Sequence, residues 1–266
     1  MISTDDTTSA AHDLRGDWGF PVPVRFGAGR VAGLCRTCRN RGVENPLFVT
    51  DSGVAELPFF DRIVASVKTA GLEPHVFDDV SGNPTAELVH EGCGRFESER
   101  CDGVVAVGGG SSLDVGKAIA FMSGHDEEIW NYAYDADPRA DVDADAVAPT
   151  IAVPTTAGTG SALSPSAVIA EPDSHRKRSI SDQAMVPDVV IADPRLTIGM
   201  PPELTAWVGM DALSHNLEAY CAPAFHPMAD GIALEGVRLV EGALVKAVEE
   251  GDDIGARSRM MAASLM

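Results

Sequence analysis

A glycine-rich segment, a hydroxyl-rich segment and an Asp–His pair hold the residue types in this sequence that could do chemistry. The first segment, VGGGSSLDVGK over residues 107–117, places three glycines between a predicted strand and a helix predicted to begin near Leu113. Glycines let a backbone approach a ligand closely, and the free N–H groups of a helix N-terminus suit a pyrophosphate. Ser111 and Ser112 are candidate caps for that helix. A tight turn without a ligand is the alternative for this pattern.

An acid and a hydroxyl-rich loop extend this candidate site. Asp51 follows the apolar run Pro46–Thr50, a position from which a carboxylate can bind an adenosine ribose and repel the 2′-phosphate of NADP. An ordinary Asp-Ser-Gly turn is the alternative. The second segment, PTTAGTGS over residues 154–161, follows the apolar run Ile151–Val153. Its hydroxyls and small residues suit close contact with a polar ring or a phosphate, and a plain glycine-rich loop is equally compatible with its composition.

Two potential metal ligands stand four residues apart in GMDALSH over residues 209–215. Asp211 and His215 would share one face of a helix, and a carboxylate and an imidazole at that spacing can chelate a divalent ion. A surface hydrogen bond between them is the alternative. Cys35 and Cys38 have the spacing of half a zinc knuckle, but no second CxxC pair exists in the sequence. We therefore expect this cysteine pair to lie on a structural helix over residues 30–42.

The segments that must position these residues alternate between strand and helix patterns. Strands are predicted over Pro46–Thr50, His75–Phe77, Cys101–Val107, Ile151–Val153 and Val189–Ala192, with helices after Asp51 through Lys68 and over Thr85–Glu99. Strands separated by helices indicate βαβ units and a parallel sheet. Helical periodicity dominates from about Leu196 onward. We therefore predict a flexible N-terminus over residues 1–18, an α/β coenzyme-binding domain over 19–195 and a helical domain over 196–266.

Charge and composition exclude several classes of partner. The chain has 40 acidic and 20 basic residues, a net charge of −20, and only four lysines. Such a field repels nucleic acids and anionic membranes. An acid-rich, lysine-poor surface suggests a halophilic source, since molar salt screens self-repulsion, and an ordinary acidic protein is the alternative. No apolar run is long enough to span a membrane and residues 1–18 do not read as a secretory signal, so we expect a cytoplasmic protein.

Taken in order along the chain, these segments resemble the iron-containing (group III) alcohol dehydrogenase family, which has the dehydroquinate synthase-like fold. The resemblance rests on FGAG at 26–29, NPT at 83–85, GGGSSLDVGKA at 108–118, PTTAGTGS at 154–161, Lys177, DP at 193–194 and GMDALSH at 209–215. It implies an NAD(P)-binding α/β domain with a parallel sheet, an all-helical domain, and an active site in the cleft between them. The implied reaction is hydride transfer between an alcohol and NAD(P), giving an aldehyde or ketone.

The resemblance also implies roles for individual residues. Asp51 would bind the adenosine ribose, and the diphosphate would be held by Gly108, Gly109, Gly110 and Ser111, with Asp114 of the same motif also binding the coenzyme. The nicotinamide side would be lined by Thr155, Thr156 and Thr159, with Lys177 also reaching the coenzyme. Asp211 and His215 would be the first two metal ligands. Iron(II) is the metal that the family implies, and zinc or another divalent ion is compatible with these donors.

Two departures from the family pattern limit what the resemblance implies. Ala162 stands where the family usually has Glu after GTGS. The family binds its metal with one Asp and three His, and the last two His would lie beyond Met266. We therefore expect half a metal site, an incomplete helical domain, and an apolar face exposed from Leu204 onward.

A non-catalytic NAD-binding relative and a polyol or glycerol dehydrogenase are the alternatives to an alcohol dehydrogenase. The expected partners are a small alcohol or aldehyde substrate and further copies of the chain in a homodimer or larger homo-oligomer.

Overall fold

The structure, a computed structural model, describes residues 16–18, 22–171, 176–223 and 225–266. These residues form nine strands, namely β1 (Gly16–Trp18), β2 (Val24–Phe26), β3 (Pro46–Asp51), β4 (His75–Val80), β5 (Gly103–Gly108), β6 (Thr150–Pro154), β7 (Ser166–Ala170), β8 (Lys177–Ser181) and β9 (Val189–Ala192). Seven of them form one sheet in the order β1-β2-β9-β6-β5-β3-β4. β1 runs antiparallel to β2, and the other six are parallel. The predicted parallel sheet is confirmed.

Both faces of the central strands are covered, which explains why these strands are apolar throughout. On β5, Val104 and Ala106 pack on one face and Val105 and Val107 on the other, in two separate cores. Helices α4 (Ala86–Ser98) and α5 (Gly110–Met122) cover the first face. Helices α1 (Leu34–Asn40) and α3 (Pro58–Thr69) cover the second. Strands buried on both faces have no polar side to alternate with, so they read as continuous apolar runs.

The helix predicted after Asp51 is divided into two. The short helix α2 (Ser52–Ala55) begins at Asp51, whose carboxylate accepts a hydrogen bond from the Val54 N–H, and α3 begins separately at Pro58. Proline fits the first position of a helix because the N–H that it lacks would have no partner there. The strand pairing β7–β8 was not predicted, since its residues alternate weakly between apolar and polar. These two strands form a separate antiparallel hairpin.

Four helices make up the described structure after residue 201. They are α6 (Pro202–Cys221), α7 (Pro227–Glu241), α8 (Leu244–Glu249) and α9 (Ile254–Ala263). The predicted change from α/β to helical structure is confirmed. None of the described helices has the length and apolar composition needed to cross a membrane. Of the flexible N-terminus predicted over residues 1–18, residues 1–15 lie outside the described residues, and Gly16–Trp18 form β1.

Candidate functional site

The three glycines after β5 form a close-packed turn at the carboxyl edge of the sheet. Gly108 has a φ of 154°, and a Cβ placed there would lie 2.4 Å from the Ser112 hydroxyl. A Cβ on Gly110 would lie 2.8 Å from Cγ2 of Thr159. Side chains at these two positions would therefore fill the space above the turn. This cradle is the geometry that lets backbone N–H groups reach a phosphate.

The helix after the turn begins earlier than the sequence predicts. α5 starts at Gly110 instead of near Leu113, with Gly109 as a cap residue that has no side-chain capping bond. The first helical hydrogen bond runs from Leu113 N to the Gly109 carbonyl at 3.0 Å, so the N–H groups of Gly110, Ser111 and Ser112 precede it. The predicted capping by Ser111 and Ser112 is wrong. Both hydroxyls bond elsewhere, and the helix N-terminus keeps donors available for an anion.

Asp51 joins the end of β3 to the start of α5. Its Oδ1 accepts the Val54 N–H at 2.9 Å, and its Oδ2 accepts the Ser112 hydroxyl at 3.1 Å. β3 and β5 are neighbouring parallel strands, so their carboxyl ends lie side by side. Asp51 therefore lies beside the glycine turn, where the sequence analysis places an acid for the adenosine ribose. Ser112, predicted only as a helix cap, orients this carboxylate.

The hydroxyl-rich loop over residues 154–161 connects the glycine turn with the helical region. Thr155 is buried, and its N–H donates to the Gly108 carbonyl at 2.9 Å. Thr156 faces Gly109, and Thr159 faces Gly110. A Cβ added to Gly109 would lie 3.3 Å from the Thr156 methyl group, and a Cβ added to Gly110 would lie 2.8 Å from the Thr159 methyl group. At the other end of the loop, a Cβ on Gly158 would lie 2.5 Å from the Val208 carbonyl of α6. The loop therefore fills the boundary between the sheet and α6.

The Asp–His pair lies on α6 beside this loop. His215 Nε2 is 3.7 Å from Oδ1 of Asp211, and both side chains are about half exposed, at 48% and 44%. His215 Nδ1 is 3.3 Å from the carbonyl oxygen of Gly158. A carbonyl only accepts hydrogen bonds, so Nδ1 is the donor in this contact. Metal-binding histidines commonly donate their second ring N–H in this way.

The two side chains therefore fit the position of adjacent metal ligands. Among the described residues, no group of three or more His, Cys, Asp or Glu side chains could hold a metal ion. As metal ligands, Asp211 and His215 would supply two donors of a site that needs more. The metal assignment of this pair stays a prediction, supported by the ring orientation of His215.

A cavity of about 540 Å³ opens between the loop and the helices. Thr159 and His215 line it, so the predicted nicotinamide side and the predicted metal side face the same space. Leu163, Ile232 and Leu265 give it an apolar part. Such a space, with a few polar groups at one end and apolar walls, suits a small organic molecule.

Asp114 is directed away from the coenzyme role that the sequence analysis gave it. Its Oδ2 accepts the Val168 N–H of β7 at 3.0 Å, and its Oδ1 lies 3.1 Å from Lys117 Nζ. The Lys117 ammonium also donates to the carbonyls of Ser164 and Ser166. Burial lowers the pKa of Lys117, while the adjacent Asp114 carboxylate opposes that shift. With Oδ2 hydrogen-bonded to β7 and Oδ1 beside the Lys117 ammonium, Asp114 holds β7 on α5, a positioning role that its three-residue spacing from Lys117 could have indicated.

Lys177 and Ser111 are both connected to the segment over residues 82–85. Lys177 begins β8 opposite Ala170, and Ala170 forms a β-bridge with Thr85. Ser111 donates to the Gly82 carbonyl at 2.9 Å, in the segment that leads to Thr85. The Lys177 side chain is exposed. Its predicted contact with the coenzyme is compatible with this position.

The cysteine pair and Ala162 belong to the packed structure. Cys35 and Cys38 lie on α1, and the Cys35 thiol is 3.6 Å from the Ser66 carbonyl. Burial raises the pKa of the Cys38 thiol to about 12, which disfavours the thiolate that zinc binding needs. The structural interpretation of this helix fits these contacts. Ala162 is buried in the core beneath the loop.

Comparisons with known proteins match nearly the whole chain. Residues 21–194 match the family model described as iron-containing alcohol dehydrogenase, and residues 205–266 match the C-terminal model of the Fe-containing alcohol dehydrogenase family. The chain is 41% identical to a 4-hydroxybutyrate dehydrogenase from Cupriavidus necator, over 92% of this chain and 62% of that protein. It is 35% identical to a 1,3-propanediol dehydrogenase from Klebsiella pneumoniae, over 94% of this chain and 64% of that protein.

Solved structures agree with the sequence matches. A 1,3-propanediol oxidoreductase superposes with a TM-score of 0.86 at 34% identity, covering 95% of this chain and 64% of that one. An alcohol dehydrogenase from an archaeal, halo-thermophilic Red Sea brine pool source gives a TM-score of 0.85 at 32% identity, covering 96% and 63%. The chain therefore spans about three fifths of the length of the relatives that it matches.

Proposed function

The chain belongs to the iron-containing alcohol dehydrogenase family, and from this premise we propose that it binds NAD and a divalent metal and takes part in hydride transfer between a small alcohol and the coenzyme. The products would be an aldehyde or ketone, NADH and a proton. The observation that supports this proposal is the loop over residues 154–161. Its Thr159 packs on Gly110 of the glycine turn after β5, residues 108–110, which we call the coenzyme turn. Its Gly158 carbonyl orients His215 of the candidate metal pair.

On the coenzyme side, the chain's own residues bind and orient. The N–H groups of Gly110, Ser111 and Ser112 would hold the diphosphate without rearrangement, since the helix does not use them. Asp51, fixed by Val54 and Ser112, would accept the ribose hydroxyls and disfavour a 2′-phosphate, which supports NAD over NADP. Thr155, Thr156 and Thr159 would then fix the nicotinamide end over the cavity.

On the substrate side, Asp211 and His215 would hold the metal ion and so position an alcohol oxygen near the nicotinamide. When bound, iron(II) or another divalent ion supplies Lewis-acid chemistry to that oxygen, and the nicotinamide accepts the hydride. The apolar walls of the cavity would receive the carbon chain of the alcohol. Relatives named as 4-hydroxybutyrate and 1,3-propanediol dehydrogenases make short hydroxy acids and diols the first substrates to test.

The test measures NAD binding, bound metal and alcohol-dependent NADH formation on the chain reconstituted anaerobically with iron(II). We expect His215→Ala to reduce bound metal and NADH formation and to leave NAD affinity unchanged. His226→Ala is the matched control, because His226 only caps α7 through the Ala229 N–H. NAD binding without metal or turnover in the unchanged chain would instead support a non-catalytic NAD-binding relative. Turnover confined to glycerol or other polyols would support a polyol dehydrogenase.

We also propose that the protein functions in high salt. The 20 excess acidic residues support this, because molar salt screens their repulsion within about 3 Å. The match to an alcohol dehydrogenase from a brine pool supports it as well. The midpoint of thermal unfolding should rise between dilute buffer and molar KCl. A midpoint independent of KCl would contradict the proposal.

The cellular setting proposed for the chain is a homo-oligomer in the cytoplasm, without nucleic acid or membrane partners. All five cysteines are free, as is usual in a reducing compartment. The net charge of −20 disfavours binding to anionic polymers and surfaces. Cell fractionation and light scattering of the native protein test the location and the oligomeric state.

A further inference from the structure

A second cavity, of about 690 Å³, lies at the other end of the sheet and is lined by five arginines. They are Arg25 on β2, Arg30 in the 3₁₀ turn Arg30–Gly33, Arg36 on α1, Arg41 just after α1, and Arg195 in the 3₁₀ turn after β9. Among the described residues that line this cavity, none is acidic. In a chain with 40 acidic residues, a cavity whose described charged residues are all arginines reverses the overall charge locally.

Acidic residues are also missing from the stretch of sequence that supplies most of these arginines. Between Asp17 and Glu44 there is no Asp or Glu, and this stretch contains five of the sixteen arginines. Arg25 projects from β2 on the face opposite to the buried Val24 and Phe26, in register with Ile191 of β9. On α1, Arg36 and Asn40 stand one turn apart toward the cavity, while Leu34 and Cys38 are buried. The apolar side of α1 therefore packs on the sheet, and its polar side lines the cavity.

Ion pairs within the protein account for only part of this cluster. Arg41 lies 3.5 Å from Asp188, and Arg25 and Arg30 have interactions of their own. For Arg36 and Arg195, the described residues offer no acidic partner. The Arg195 guanidinium lies over the Gly29 backbone, where a Cβ would be 3.5 Å from its Nη1. The buried Asp193 nearby is already used, since it accepts the N–H groups of Gly29 and Val31.

We propose that this cavity binds a small molecule that has two or more linked phosphate groups. Guanidinium groups present paired donors that match phosphate oxygens, and Arg36 and Arg195, which have no acidic partner among the described residues, add positive charge that an anion would neutralise. A dense anionic group is also what can overcome the negative field of the whole chain. Val189 and Ile191 also line the cavity and would contact an apolar part of such a ligand.

This site is separate from the coenzyme turn. The cavity lies against β2 and β9, whereas the turn follows β5, and β6 stands between β9 and β5. Arg25, Val189 and Ile191 are on the face of the sheet covered by α1, and α5 covers the opposite face. Binding at one site therefore does not require the residues of the other.

Calorimetric titration with inorganic pyrophosphate at constant ionic strength tests the proposal. We expect the unchanged chain to bind it, and Arg36→Gln/Arg195→Gln to bind it about 100-fold more weakly, roughly tenfold for each charged hydrogen-bonding group removed. Arg62→Gln/Arg95→Gln is the control with the same change in net charge, on exposed positions of α3 and α4 outside the cavity. The control should bind pyrophosphate like the unchanged chain.

A second pair of measurements separates this site from the coenzyme site. Gly110→Val closes the coenzyme turn and should leave pyrophosphate binding in place, while the double arginine variant should keep its NAD affinity and its circular dichroism spectrum. Pyrophosphate binding that disappears in Gly110→Val would assign the anion to the coenzyme turn and overturn the proposal. Equal binding by the two double arginine variants, or no binding by the unchanged chain, would overturn it as well.

Discussion

The sheet region, residues 22–195, and the helical region, residues 196–266, bury their apolar side chains to very different extents. Of the thirteen large apolar side chains exposed in the described structure, ten lie in the helical region, among them Trp207 at 70% and Phe225 at 94%. Nine of these ten follow Leu204, and the apolar face expected there stays a prediction. The helical region's own core consists mostly of alanines, while the sheet region has two large cores.

This difference indicates how the two halves of the candidate site, the coenzyme turn and the Asp211–His215 pair, are held in position. The coenzyme turn stands on buried strands and would keep its shape by itself. The Asp211–His215 pair lies on α6, and its position relative to the turn depends on contacts such as Gly158 with Val208 and with His215. We therefore expect substitutions in the sheet region to change stability most, and substitutions at the boundary to change how the two halves of the site meet.

The largest expected effect is that of Lys117→Ala. Removing this buried ammonium leaves the Asp114 carboxylate unpaired, which should lower the free energy of unfolding by about 3–5 kcal/mol. The control is Lys246→Ala in the helical region, whose ammonium is 2.6 Å from Asp253 but about half exposed. That exposed pair should contribute much less to stability, because solvent screens it. Urea unfolding measures the free energy of unfolding of both variants. Equal losses in the two would contradict the expected difference between the sheet region and the helical region.

The substitutions Phe48→Ala and Phe225→Ala remove the same side chain from the two regions, and their losses of stability can be compared. Phe48 is fully buried and packs edge-on against Phe60, with ring centroids 6.1 Å apart. Its truncation should cost about 3–5 kcal/mol. Phe225 is almost fully exposed, and its truncation should change stability by less than about 0.5 kcal/mol. A large loss for Phe225→Ala in thermal unfolding would show that the helical surface is buried in solution.

Gly110→Val tests the coenzyme turn without relying on catalysis. The added side chain would contact Thr159 and occupy the space above the turn, so NAD affinity should fall by about 100-fold, or about 2.7 kcal/mol. Gly94→Ala on α4 is the control, because a Cβ there meets nothing within 4 Å. Fluorescence titration with NADH measures both variants. Unchanged affinity in Gly110→Val would remove the turn from the coenzyme site.

Gly158→Ala tests the boundary between the regions. Its Cβ would lie 2.5 Å from the Val208 carbonyl, so α6 must shift, at a cost of about 1–3 kcal/mol in unfolding free energy. The shift also moves the carbonyl that orients His215, so metal affinity should fall about tenfold or more. Gly160→Ala keeps the carbonyl of Gly158 in place and serves as the comparison, although its φ of 67° adds local strain. Equal metal affinities in the two variants would contradict this coupling.

Much of the fold could be predicted from local sequence. The strands over 46–51, 103–108, 150–154 and 189–192 are apolar runs next to glycine, proline or aspartate, and a buried parallel strand needs little more than that pattern. The β7–β8 hairpin could not be predicted in this way. Its strands are held by Asp114 and Lys117 of α5, contacts made across about fifty residues of sequence.

The sequence by itself determined the chemical inventory: the glycine turn, the acid at position 51, the hydroxyl-rich loop, and the Asp–His spacing on one helical face. Only the tertiary structure decided how these groups are used. It brought Asp114 into contact with the β7–β8 hairpin, paired Ser112 with Asp51, and placed Gly158 between the turn and His215. The physical reason is that residue type and spacing specify which hydrogen bonds are possible, while packing of distant elements decides which donors and acceptors actually meet.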